Sequence, residues 1–119
     1  MKLDHMLILL SDLANHIGFY DALLPMMGFE KQRDHVFAND DGVHLDFRAA
    51  EDPDHEYRRF SPGLNHLGFT APNLDVLEKL RAEMSRKGFM VPDIQQFEDG
   101  HAIFFKDPEG MRIEVGYYA

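Results

Sequence analysis

The chain reads as an α+β fold built from two tandem βαβββ modules, a curved mixed sheet around a cleft. Three observations point there: an apolar strand-like opening that recurs past the midpoint, an amphipathic helix after each opening, and three short strand candidates after each helix. The landmarks agree residue by residue. Leu3-Asp4-His5 matches Leu64-Asn65-His66, Met27-Gly28-Phe29 matches Lys87-Gly88-Phe89, and Asp41-Gly42-Val43-His44-Leu45-Asp46 matches Glu109-Gly110-Met111-Arg112-Ile113-Glu114.

Leu3 to Leu10 is dense in strand formers, and Ser11-Asp12 offers an N-cap. Leu13, Ile17, Tyr20, Leu24 and Met27 then recur at helical spacing, and Pro25 with Gly28 ends the helix. Strands are expected over residues 29–33, 35–39 and 43–48, the last two joined by an Asp40-Asp41-Gly42 turn. Residues 49–63 are polar, bounded by turn formers, and suit a linker or a lid. Leu64 to Ala71 restarts the plan. Asn73 caps a helix with the stripe Leu74, Leu77, Leu80 and Met84, and Gly88 closes it. Strands are expected around 89–91, over 102–106 and over 111–117, with Asp107-Pro108-Glu109-Gly110 as the last turn. The organisation is one domain over 1–119, with module one at 1–48, the linker at 49–63 and module two at 64–119.

Composition narrows the function. The 119 residues carry 45% apolar and 28% charged side chains, a globular profile for one domain. Twelve basic against 21 acidic residues leave a formal charge of −9, which repels phosphate backbones and argues against nucleic acid as a partner. There is no cysteine, so a metal here must rest on imidazole and carboxylate. The apolar amino terminus contains Asp4 and His5 and reads as a strand, not a signal peptide. With no stretch long enough to cross a bilayer, the expected location is the cytoplasm, away from membranes.

Side chains alternate across a strand, so His44, Asp46 and Arg48 share the face opposite Val43, Leu45 and Phe47, while Arg112 and Glu114 oppose Met111, Ile113 and Val115. His66 likewise opposes Leu67 and Phe69, and His5 holds the same place in its own module. If the apolar faces pack on the helices, one imidazole from each first strand and one carboxylate from each last strand converge. A lone strand histidine is usually structural; recurrence at repeat-related positions is what points to a metal site of His5, His66, Glu114 and Asp46. Carboxylates gathered in a hollow repel one another unless a cation intervenes. Two nitrogens with two oxygens suit zinc, nickel, manganese, cobalt or iron. Arg48, Arg112, His44, His101 and Tyr117 are candidates for holding a small-molecule substrate. His16, on the polar side of the first helix, and His55, in the linker, are expected to face solvent.

Several of these strings resemble the vicinal oxygen chelate superfamily, which includes glyoxalase I, bleomycin-resistance proteins, methylmalonyl-CoA epimerase and extradiol dioxygenases. They are Leu3-Asp4-His5, Gly18-Phe19-Tyr20-Asp21, Leu24-Pro25-Met26-Met27-Gly28-Phe29, Leu64-Asn65-His66-Leu67-Gly68-Phe69, and Phe105-Lys106-Asp107-Pro108-Glu109-Gly110-Met111-Arg112-Ile113-Glu114. The resemblance spans essentially the whole chain. It implies metal ligands at His5, His66 and Glu114, with the fourth place falling on Asp46, where glyoxalase I carries Glu and the epimerase Gln. The shorter Asp reaches an ion directly or through water, or stands outside the ligand set. A glyoxalase-like lyase or isomerase is the function implied, with Glu114 shuttling a proton; the alternatives are a ferrous extradiol-type dioxygenase and a metal-free, bleomycin-resistance-like binding protein. The resemblance also implies a homodimer. No glutathione-binding cluster is recognisable.

Overall fold

The computed structural model describes residues 1–118 and divides into two compact units, Met1–Glu56 and Tyr57–Ala119. Each holds one βαβββ copy, so the boundary falls within the expected linker. The strands form two four-stranded mixed sheets, one per unit.

In the first unit β1 (His5–Leu10) leads to α1 (Leu13–Leu23), then β2 (Glu30–Arg33), β3 (Val36–Ala38) and β4 (His44–Ala49) follow in the sheet order β1-β4-β3-β2. Helix α1 starts where expected: the Asp12 carboxylate accepts the Asn15 N–H at 3.2 Å, satisfying one of the unpaired donors of the first turn. Leu24–Met27 tightens into a 3-10 turn with Pro25 in its first residues. Ile17, Phe19, Tyr20 and Leu23 are buried with Leu45, Phe47 and Phe37. Tyr20 stacks on Phe47 with ring centroids 4.3 Å apart, and Phe37 meets Phe47 edge-on at 5.9 Å. His35, expected to open β3, stands outside the ladder in a left-handed turn at φ 64.

In the second unit β5 (His66–Thr70) leads to α2 (Leu74–Arg86), then β6 (Gln95–Phe97), β7 (Gly100–Lys106) and β8 (Arg112–Tyr118) follow in the order β5-β8-β7-β6. The Asn73 side chain accepts the Val76 N–H at 3.1 Å, and Gly88, at φ 92, takes the left-handed conformation that stops the helix. Leu77, Leu80 and Met84 are buried with Leu67, Ile103, Phe105, Ile113 and Val115. The strand expected around 89–91 lies instead at 95–97. Pro92 has no N–H to give a ladder, and Arg81 holds this stretch against α2 by donating Nε to the Pro92 carbonyl at 2.9 Å and Nη2 to Asp93 at 2.8 Å.

The parallel pairings β1–β4 and β5–β8 have equivalent registers: His5 lies opposite His44 and His66 opposite Arg112. No helix among the described residues is long and apolar enough to cross a membrane.

Candidate functional site

Each sheet has one face packed on its helix and one face free of it, and alternation sorts the candidate residues between the two. In the first unit His5, Leu7 and Leu9 are exposed while Leu10 is fully buried, and β4 alternates buried Leu45 and Phe47 with His44, Asp46 and Arg48. His5, His44, Asp46 and Arg48 therefore share the face away from α1. Asp46 pairs with Leu7 in the register, which makes it a diagonal neighbour of His5. One oxygen of Asp46, Oδ1, is buried without a hydrogen-bond partner among the described residues. With Arg33, His35 and Arg48, Asp46 also lines an open hollow of about 340 Å³.

In the second unit the match is tighter. His66 Nε2 faces Glu114 Oε2 at 3.0 Å across the β5–β8 pair, with the histidine side chain 38% and the carboxylate 15% exposed. Gly68 is the register partner of Glu114, and its missing side chain leaves the carboxylate lying over β5: a Cβ there would be 3.6 Å from Oε2. Phe104, opposite Glu114 on β7, meets the His66 ring edge-on at 6.1 Å.

The two histidines are oriented alike. His66 Nδ1 bonds to Asn65 Oδ1 and His5 Nδ1 to Asp4 Oδ2, each at 2.8 Å, so the residue before each histidine holds one ring nitrogen and turns Nε2 outward. The His5 hydrogen bond, reinforced by nearby positive charge, holds the Asp4 carboxyl below its ordinary pKa. Metal-bound imidazoles are steadied by such outer partners. The sequence shows Leu-Asp-His and Leu-Asn-His as a repeat; the orienting role follows once the middle residue is placed beside the ring.

Tyr118 is the residue that sequence reasoning passed over. Its hydroxyl donates to Glu114 Oε1, and this hydrogen bond, then burial, then the carboxylate's charge push the phenol up to about 12. Period-two counting from Glu114 reaches 116 and 118, so the signal was present. Tyr117, the candidate chosen instead, pairs with His101, and both lie on the side of Ile103 and Val115 on which α2 packs. They do not join Glu114's face. Arg112 does, with Nη1 donating to the Gly110 carbonyl at 2.6 Å.

Among the described residues no group of three or more His, Cys, Asp or Glu side chains stands together as a metal site. The donors nevertheless fit a cation. With oxygens facing both nitrogens of His66, a proton or a cation must lie between Nε2 and Glu114, and the unpartnered buried oxygen of Asp46 is an acceptor that a cation would satisfy.

Residues 2–115 match the model of the glyoxalase/bleomycin resistance protein/dioxygenase superfamily. The uncharacterized protein YqjT of Bacillus subtilis (strain 168) is 29% identical, the alignment covering 93% of this chain and 94% of that one. Among solved structures, a glyoxalase candidate from Bacillus halodurans superposes with a TM-score of 0.78 at 25% identity, covering 97% of this chain and 94% of its own. The lactoylglutathione lyase of Agrobacterium tumefaciens shares the fold at a TM-score of 0.68 and 15% identity, with 98% and 92% covered. The chain belongs to the glyoxalase/bleomycin resistance protein/dioxygenase superfamily.

Proposed function

We propose that this protein is a metal-dependent lyase or isomerase of the glyoxalase-like kind, acting on a small substrate with adjacent oxygens. The carrying observation is the His66–Glu114 pair: an imidazole fixed by Asn65, facing a carboxylate at 3.0 Å on the neighbouring strand. His5, His66 and Glu114 are the proposed ligands, with Asp46 as the fourth. Zinc, nickel, manganese, cobalt and iron all accept such donors. When bound, the ion supplies Lewis-acid polarisation of a substrate oxygen.

The protein's own groups do the rest. Asp4 and Asn65 keep each Nε2 aimed outward. Glu114 takes a proton from the carbon beside a substrate carbonyl and returns it to the neighbouring carbon, the work of a positioned general base and acid. Arg48 and His44 lie on the face that carries His5, and Arg112 lies on the face that carries Glu114, so they are the candidates for the substrate's anionic or carbonyl ends. The ring of Phe104 beside His66 offers an apolar wall. A homodimer is the proposed assembly, to be checked by sedimentation.

Elemental analysis of protein purified without chelator or affinity tag tests this reading. About one ion per chain is expected, and His66→Ala and Glu114→Ala should each lower bound metal at least about tenfold while far-UV circular dichroism stays unchanged. Unchanged metal in both variants would remove the site assignment. Metal-loaded protein should then turn over α-ketoaldehyde thiol adducts or related substrates without consuming oxygen. Oxygen uptake with catechols would move the assignment to the dioxygenase alternative, and no metal after reconstitution would move it to a metal-free binding protein.

A further inference from the structure

We propose that Tyr118 is a positioning residue for Glu114: it latches one carboxylate oxygen, so that only the other is presented on the His66 side. This role rests on the metal-dependent reading above and adds to it a residue outside the ligand set. Three observations converge. Tyr118 donates its hydroxyl to Glu114 Oε1, whereas His66 Nε2 faces Oε2, so the two oxygens have different partners. The Tyr118 ring reaches back along its own strand across residue 116, and a Cβ at Gly116 would lie 2.9 Å from Cζ and 3.0 Å from the hydroxyl oxygen, with Cε2 closer still. Gly100, the register partner of Tyr118, lies close as well: a Cβ there would meet the Tyr117 carbonyl oxygen and Tyr118 Cα first, and Tyr118 Cδ1 at 2.9 Å. The ring thus lies over Gly116, whose missing side chain leaves the room that lets the phenol reach Glu114.

The consequence is ligation through a single carboxylate oxygen. A carboxylate free at both oxygens can close on a cation with two donors, whereas one held at Oε1 offers Oε2 alone and leaves a coordination position for substrate. Removing the latch releases the carboxylate, costs orientation and fills that position.

Cobalt(II) is the probe, because its visible bands report coordination number independently of turnover. Titration against a competing chelator should show Tyr118→Phe binding cobalt about tenfold more weakly than the natural protein, the loss usual for an outer partner of a metal ligand. Its bands should weaken in intensity as the coordination number rises. Gly116→Ala should reproduce both changes while keeping the phenol, because the new methyl displaces the ring. Natural affinity and spectrum in Tyr118→Phe would overturn the latch. If the natural protein takes up no cobalt, the metal reading fails separately. The latch is then read from the carbon-13 resonance of the Glu114 side-chain carboxyl, assigned by its loss in Glu114→Gln. Movement of that resonance in Tyr118→Phe supports the contact, and an unmoved resonance overturns it.

Discussion

Asp107 is 3% exposed, and its carboxylate accepts the N–H groups of Glu109 and Met111, each at 2.9 Å. It thereby holds the Asp-Pro-Glu-Gly turn whose far side becomes β8, the strand that carries Glu114 and Tyr118. Because a buried donor left unpaired costs its full desolvation, Asp107→Ala should lower stability by about 3 kcal/mol in urea unfolding, and Asp107→Asn by less. The turn itself was legible from its residues, but burial of its first side chain was not, since nothing local distinguishes a solvated Asp from one folded over its own backbone. The paired His66 and Glu114 were legible by alternation and repeat. His101 and Tyr117 fall on the Val115 face of their strands, opposite Glu114, whereas Tyr118 keeps the phase of Glu114.

At the scale of elements, caps and stripes carried most of the information. Asn73→Ala should cost about 1 kcal/mol, read as a lower urea midpoint at an unchanged slope. Asp12 adds a pH dependence. Its carboxyl is held below its ordinary value of 3.8, first by the Asn15 side chain and then by the Asn15 backbone N–H. A depressed pKa stabilises the fold above the unfolded value and ceases to do so as pH falls through the folded one. Asp12→Ala should therefore lower the melting temperature at pH 7, and the gap to the natural protein should close as pH falls through the lowered pKa of Asp12. The strand at 95–97 escaped sequence reading for a physical reason. Gln95, Gln96 and Phe97 are all exposed on an edge strand, so no buried face imposes an apolar alternation, whereas Phe89-Met90-Val91 has strand-like composition but precedes a proline.

For the whole molecule, the internal repeat decided the architecture, and each copy forms its own compact unit. The charge of −9 acts on both. It raises the local concentration of divalent cations and disfavours anionic substrates. Lengthening the salt series from about 0.01 to 0.15 M shortens the screening length from about 30 to 8 Å, so cobalt affinity should fall over that range. An affinity independent of salt would mean that only the ligands themselves attract the ion. The segment between the last strand of one copy and the first of the next is not uniform. From Tyr57 onward it is tied to the second unit: the Tyr57 hydroxyl lies 2.8 Å from the carbonyls of both Leu64 and Asn65, its single proton shared between them, and Asn65 donates to the Arg59 carbonyl at 2.9 Å. Residues 51–56, by contrast, are all exposed. A glutamate-specific protease should therefore nick after Glu51 or Glu56 well before trypsin cuts after Arg58 or Arg59, yielding fragments of 51 and 68 or of 56 and 63 residues on a denaturing gel, each with one intact copy of the repeat.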